Sequence, residues 1–470
     1  MPSPPAFAAS SRDPVNLQRA LQLVLAVYLV LVWFGGGPTV DVTAADEWLI
    51  LLALAPLTLG AAALLTGAAM PRLTRAALLL ALLLPLIPLL QLVTVADGVW
   101  HWSDARRGVS ADLLAAGLST TPHTWSLWPE ATTRALYALL PALACFLGAL
   151  GLGDAWARRL VQLALGLVLA NLAFGFFQVG LPPNSGMRLY TANGTGIGGV
   201  LVNVNHQGTA LVVGMLLSLG LWARERHRQR DSGQPMGVKA AAYATASLVC
   251  LTAVALAGSS AAMIIALVAF AAGVIATGLL SVRRIQSSRG GMAAGIAVLA
   301  VLAIGLLSAQ GWMNLEQTDA MRYQLARETA ALGVRHAPLG SGAGTFMDSY
   351  AQSASALFQR GEYINHAHNE FAQWWFEGGW PALALLIASL GVLVVSGWRL
   401  LRSRRRDPVA IACWLAIVAV LAHSWVDFPL RTLSLMSLTA LLAGIVVGAA
   451  AARDPRQQPA PAAPAALQRA

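Results

Sequence analysis

Charge is scarce in this chain: 11% of its 470 residues are Asp, Glu, Lys or Arg, where soluble proteins average about 25%. That excludes an ordinary soluble domain. The 57% apolar content and a mean hydropathy of +0.64 point to an all-α polytopic membrane protein. Cysteine is scarce too. Cys145, Cys250 and Cys413 stand singly in apolar runs, which excludes a disulfide framework or metal spacing and leaves them as small packing residues. Acidic residues never converge in the sequence, so no Asp-x-Asp pair is present to hold a divalent ion against a diphosphate. His366 and His368 are two apart rather than four, which is not a zinc pair. There is no nucleophile elbow, and the Gly340/Gly342/Gly344 run lacks the strand that precedes a nucleotide fingerprint, so it is expected to be a turn. No metal or cofactor is expected. No small-residue cleavage site follows the first apolar run, which is therefore taken as a span and not a signal peptide.

What is present is a series of apolar runs near 20–36, 48–69, 76–96, 133–152, 160–180, 206–222, 240–257, 261–280, 291–309, 380–397, 409–426 and 432–450. Each is close to the ~20 residues that cross a hydrocarbon core, giving about 12 transmembrane helices. The chain divides into a tail at 1–19, spans 1–9 over 20–309, a large loop at 310–379 between spans 9 and 10, spans 10–12 over 380–450, and a tail at 451–470. The net charge of +10 is no sign of nucleic acid. With both termini cytoplasmic, 22 of the 31 Lys and Arg fall in the inner segments, as the positive-inside rule requires.

Three outer loops are longer than connection needs. Loop 97–132 carries Trp100, Trp102, Trp125 and Trp128 with His101 and His123, suiting a segment that lies on the membrane surface. Loop 181–205 contains Arg188 and a glycine-rich stretch. Loop 310–379 contains an expected helix from Arg322 to Val334, then the glycine turn, then His366-Ala-His368-Asn369-Glu370-Phe371-Ala372-Gln373-Trp374-Trp375-Phe376-Glu377-Gly378-Gly379-Trp380-Pro381. With Asn369 as N-cap, Asn369, Glu370, Gln373 and Glu377 share one helix face, and Phe371 and Trp375 take the other. The glycine pair ends that helix and Pro381 opens the next. An aromatic membrane belt accounts for the tryptophans but not for the paired histidines.

These residues offer a base and anion binders. A neutral histidine at a helix N-terminus can take a proton from a hydroxyl, and His368, ahead of His366, is placed there. Arg322, Arg188 and Arg431 lie outside, where positive charge is sparse, and guanidinium groups suit phosphate oxygens. Arg431 also has Asp427 four residues before it, and a pairing of the two is the favoured expectation. The set serves a transfer in which a phosphorylated group leaves and an alcohol attacks.

The same stretches resemble the O-antigen ligase and polymerase superfamily, in its exopolysaccharide-type branch. The resemblance rests on His366 to Gly379, on Arg322 followed by Pro338 to Phe346, on Asn203-Val-Asn205-His206, and on His423-Ser-Trp-Val-Asp427-Phe428-Pro429-Leu-Arg431. It implies a GT-C-like, metal-independent, inverting glycosyltransferase of the bacterial inner membrane. Such an enzyme moves a glycan from undecaprenyl diphosphate onto a lipid A core, glycan or protein acceptor at the periplasmic face. By position, His368 is the implied essential histidine and Arg322 the diphosphate-binding arginine, with Arg188 a second. His366 and Glu377 join His368 as candidate catalytic residues. Asn369, Glu370, Asn203, Asn205, His206, Asp427 and Arg431 support the substrate. Two departures stand out: Ser260 and Ala382 occupy positions where the family often has arginine and glycine. Two other readings compete, a polysaccharide or small-solute transporter or flippase, and a catalytically silent scaffold. Span centres almost without charge speak against the transporter.

Overall fold

The structure, a computed structural model, describes residues 14–38, 44–67, 69–118, 123–182, 185, 197–280, 317–355, 357–358 and 364–452. The helices are α1 (Pro14–Gly35), α2 (Ala44–Leu52), α3 (Leu54–Thr66), α4 (Arg72–Leu83), α5 (Leu86–Gln91), α6 (Asp97–Trp100), α7 (Asp104–Ala115), α8 (Pro129–Leu150), α9 (Asp154–Val179), α10 (Val204–Asp231), α11 (Val238–Ala257), α12 (Ser260–Ala276), α13 (Gln317–Arg335), α14 (Phe346–Ser353), α15 (Glu370–Arg402), α16 (Pro408–His423) and α17 (Leu433–Ala451). A two-residue antiparallel ribbon pairs Thr94 with Thr124 and Val95 with His123.

The chain is an all-α polytopic membrane protein. Among the described residues nine helical stretches are long and apolar enough to cross a membrane, and α12 and α16 are shorter apolar helices. Eleven of the expected spans coincide with these elements. The expected span at 291–309 lies outside the described residues, as do Arg188, residues 1–13 and residues 453–470. The bundle is built around α10, which packs on α11, α12 and α16, while α17 packs on α8 and α1. Residues 206–221 of α10 are all buried inside the protein, so its apolar residues meet other helices rather than lipid.

Alternation of these helices brings one set of ends together. The start of α10, the start of α15, the end of α16 and the loop before α17 meet there, with α13 packed against α15. Residues 97–118 and 123–128 join them, and part of this segment packs into the protein. Trp102 and Trp128 are exposed, but Trp100 and Trp125 are buried. Trp125 donates its indole N–H to the Gly340 carbonyl at 2.9 Å. The Arg106 guanidinium, stacked 4.1 Å from the Trp125 ring, donates to the carbonyls of Trp125 and Gly340. Burial lowers that arginine to about 9.

The reason for this brace lies in α15. Its helix is interrupted at Gly379, with φ 58° and ψ −149°, a conformation that glycine alone adopts readily. The break frees the Phe376 carbonyl, and Pro381, which has no N–H, leaves the Glu377 carbonyl open; they accept from the amides of Ser341 (2.9 Å) and Gly342 (3.0 Å). Trp380 N–H donates to Pro338 O at 2.9 Å. Gln91, at the end of α5, donates to the Leu339 and Glu377 carbonyls and accepts from Ala343 N. The glycine turn is thus docked on the broken helix, and loop 97–128 covers the turn.

Candidate active site

Asn369 caps α15 as expected, its side chain accepting from Ala372 N at 3.0 Å. Its amide donates to the Trp425 carbonyl at 2.8 Å, which ties the helix start to the segment after α16. Glu370 makes a second tie: its backbone N–H donates to Ser424 O, and its carboxylate accepts from Leu430 N at 2.7 Å. His368, just ahead of the cap, adopts a positive φ of 49°. Asp427 is brought beside it by these two ties.

Asp427 is buried, with Oδ1 3.6 Å from His206 Nε2 and 3.9 Å from His368 Nδ1. The same oxygen accepts from Phe428 N at 2.8 Å. Burial pushes this carboxyl up, but His206, His368 and His423 more than offset that and hold it below its ordinary range. Burial lowers His368 to about 4, helped by Arg322 and His206 and opposed by Asp427. His368 is therefore neutral at neutral pH, with a carboxylate behind one ring nitrogen. The Phe428 ring lies 4.4–5.0 Å, centroid to centroid, from the rings of His366, His368 and His206. His423 Nδ1 is 2.6 Å from Thr209 Oγ1.

A cavity of about 750 Å³ opens on His368, within the 300–1,000 Å³ usual for small-molecule sites. Arg322, Tyr323, Arg327, Asn205, Ser260, Asn369, Phe371, Trp375, His423 and Trp425 are among its lining residues, and none of the described lining residues is acidic. Trp375 is fixed by its indole N–H to Ala330 O at 3.0 Å. The Ser260 hydroxyl is buried and has no hydrogen-bond partner among the described residues. Elsewhere, no three His, Cys, Asp or Glu of the described residues come together in a way that suits a metal.

The expected residues divide into two groups. His368, Arg322, Asn369 and Asn205 line the cavity. His206 and Asp427 stand directly behind His368. Asn203 caps α10 by accepting from Asn205 N at 2.9 Å, and so orients Asn205. Glu377 and His366 do not line the cavity. The polar face of α15 points into protein, and it is the opposite face, with Phe371 and Trp375, that forms the cavity wall. Glu377 accepts from Arg431 at 3.0 Å, Gln373 at 2.9 Å and Phe346 N at 3.3 Å. His366 shares a 3.2 Å contact with Gln373, and burial first, then the charge of Arg431, lowers it to about 3. The expected Asp427–Arg431 pairing is corrected as well. Residues 424–428 are not helical and Pro429–Arg431 forms a 3-10 turn, so the i,i+4 geometry is lost and Arg431 pairs with Glu377 instead.

Residues 195–387 match the sequence model of the O-antigen ligase family. The chain carries an O-antigen ligase domain. The search of curated proteins returns no match. The matched residues of the O-antigen ligase domain include Asn205, Arg322, His368 and the glycine turn, while Asp427 and Arg431 lie beyond them and reach the site through the fold. Sequence reading missed Thr209, Arg327, Trp425 and the ring of Phe428 as parts of the site. Phe428 stands inside a quoted motif, which was its only signal. Gln91 and Arg106, which brace the glycine turn, carry no local pattern that would single them out.

Proposed function

We propose that the cavity transfers a glycan from a polyprenyl diphosphate, of the undecaprenyl type, to an acceptor hydroxyl. The reading is carried by His368 and Arg322 lining one cavity while Asp427 backs the histidine. The acceptor oxygen attacks the anomeric carbon opposite the diphosphate, so the new C–O bond forms as the bond to phosphate breaks and the configuration inverts. The acceptor proton passes to His368 Nε2, the nitrogen turned away from Asp427. The departing diphosphate keeps the electron pair, and Arg322 balances its charge. Asp427, 3.9 Å from Nδ1, stabilises the imidazolium by its charge. The aromatic walls suit the apolar faces of sugar rings. The step is written without a metal, since none of the described lining residues is a carboxylate that could hold one. The acceptor is a lipid A core, a glycan or a protein, and the site faces the periplasm of a bacterial inner membrane.

The O-antigen ligase family match supports this reading over a transporter. So does the position of the polar groups: His206 opens α10, His423 closes α16 and His368 precedes α15, all at helix ends and none at mid-span, where ion-coupled carriers place theirs.

The test is transfer from a purified polyprenyl-diphosphate oligosaccharide, followed by label in the acceptor. General-base help is worth about 10²–10⁴-fold, so His368→Ala is expected to cut the rate at least about 100-fold while the protein still inserts. His366→Ala is expected to do less. Excess chelator is expected to leave wild-type transfer intact, and the wild-type rate to fall only as pH drops towards about 4, where His368 protonates. Wild-type activity in His368→Ala, or a rate that chelator abolishes and magnesium restores, would overturn the mechanism.

A further inference from the structure

The cavity wall contributed by α13 is a stripe of Arg322, Tyr323, Ala326, Arg327 and Ala330, the spacing of one helix face. Arg322 is half-buried, and its charge bears on His368. Arg327 is exposed, and its place is about 7.5 Å further along the axis, five residues at 1.5 Å each. It makes no hydrogen bond or ion pair among the described residues. Its guanidinium lies 5.8 Å from the centroid of the Tyr323 ring, within cation–π range. The neighbouring carboxylate, Glu328, is turned away and accepts from Ser355 N and Oγ at 2.6 and 2.7 Å. Arg327 is thus a cation held against an aromatic face, beside a cavity whose described lining carries no negative charge.

Resting on the transfer reading above, we infer that Arg327 is a specificity residue that receives a carboxylate or phosphate substituent of the glycan. The diphosphate has to sit where His368 and Arg322 meet the anomeric carbon. A glycan chain longer than the cavity can enclose leaves past the exposed wall, where Tyr323, Arg327 and Trp425 stand. There Tyr323 and Trp425 offer faces to sugar rings, and Arg327 supplies a two-pronged donor to an anionic substituent. Arg322 serves the leaving group and Arg327 the cargo.

Binding to the full-length protein in detergent, read by intrinsic tryptophan fluorescence, tests this without requiring turnover. The probes are a β-linked glucose tetrasaccharide, the same tetrasaccharide with one glucuronate, and inorganic pyrophosphate. The wild type is expected to prefer the glucuronate probe by about three- to tenfold, the range of a partly solvated charge pair. Arg327→Gln is expected to remove that preference and Arg327→Glu to reverse it, while pyrophosphate affinity falls by less than twofold in Arg327→Gln. Equal binding of both sugars by the wild type, or a preference that survives in Arg327→Gln, overturns the inference. A loss of pyrophosphate affinity as large as that for glucuronate also overturns it, by assigning Arg327 to the diphosphate. A protein that shows the expected preference but transfers no glycan counts against the transfer reading alone.

Discussion

Glu377 and Arg431 show how a carboxylate in a suggestive motif can act at a distance from the chemistry. Their 3.0 Å ion pair is mostly buried, and through Gln373 it reaches the backbone of Ala367 and the ring of His366. Removing one partner of a buried pair leaves an uncompensated charge, a loss of about 3–5 kcal/mol. Glu377→Ala and Arg431→Ala are each expected to lower the thermal unfolding midpoint in detergent. The double variant is expected to lose less than the sum, by a coupling of about 1–3 kcal/mol. Activity separates a positioning role from direct chemistry. Glu377→Gln keeps the acceptor for Gln373 and Phe346 N, so it should retain more transfer than Glu377→Ala. Equal loss in both would put the carboxylate on the substrate.

At the scale of elements, the decisive feature is the break in α15. An uninterrupted helix from 370 to 402 would spend the Phe376 carbonyl on the Trp380 N–H, leaving the glycine turn only the Glu377 carbonyl, which Pro381, having no N–H, leaves open in any case. A Cβ at Gly379 would run into the Pro338 carbonyl and would also sit at positive φ. Gly379→Ala is therefore expected to cost about 1–3 kcal/mol for the strained backbone alone, and more for the clash, and to reduce transfer by undocking the turn. Gly391, in the same helix, has no atom within 4 Å of an added Cβ. Gly391→Ala is expected to be neutral or to stabilise by up to about 1 kcal/mol. Comparing thermal unfolding of the two variants checks this; similar midpoints would mean that the break holds nothing in place.

For the whole molecule, the order of basic clusters and the gathering of helix ends agree with each other. Loop 97–128, the start of α10, α13 and the segment after α16 meet at one end, away from the arginines at the ends of α10 and α15. If that end is periplasmic, a periplasm-active reporter fused after residue 360 is expected to be active and one fused after residue 231 silent. The reverse pattern would place the cavity in the cytoplasm and remove it from a periplasmic transfer.

The sequence by itself determined the class of protein, the nine described spans and two shorter apolar helices, and the course of α15. Runs of about 20 apolar residues have few other fates than a membrane helix, and Asn369, the glycine pair and Pro381 are local signals whose effect depends on their own backbone. It also put His368 and Arg322 forward by their motifs. Only the tertiary structure decided which residues share the cavity. Periodicity placed Asn369, Glu370, Gln373 and Glu377 on one face of α15, but nothing local says whether a polar face meets substrate or protein. Here Arg431, Phe346 N and Leu430 N satisfy Glu377 and Glu370 from other elements, so beyond Asn369 that face is turned from the cavity and the aromatic face lines it. Asp427 reaches His368 from 59 residues away in sequence because α15 and α16 run in opposite directions. Contacts of that kind depend on which helix ends meet, and no single stretch of sequence encodes that.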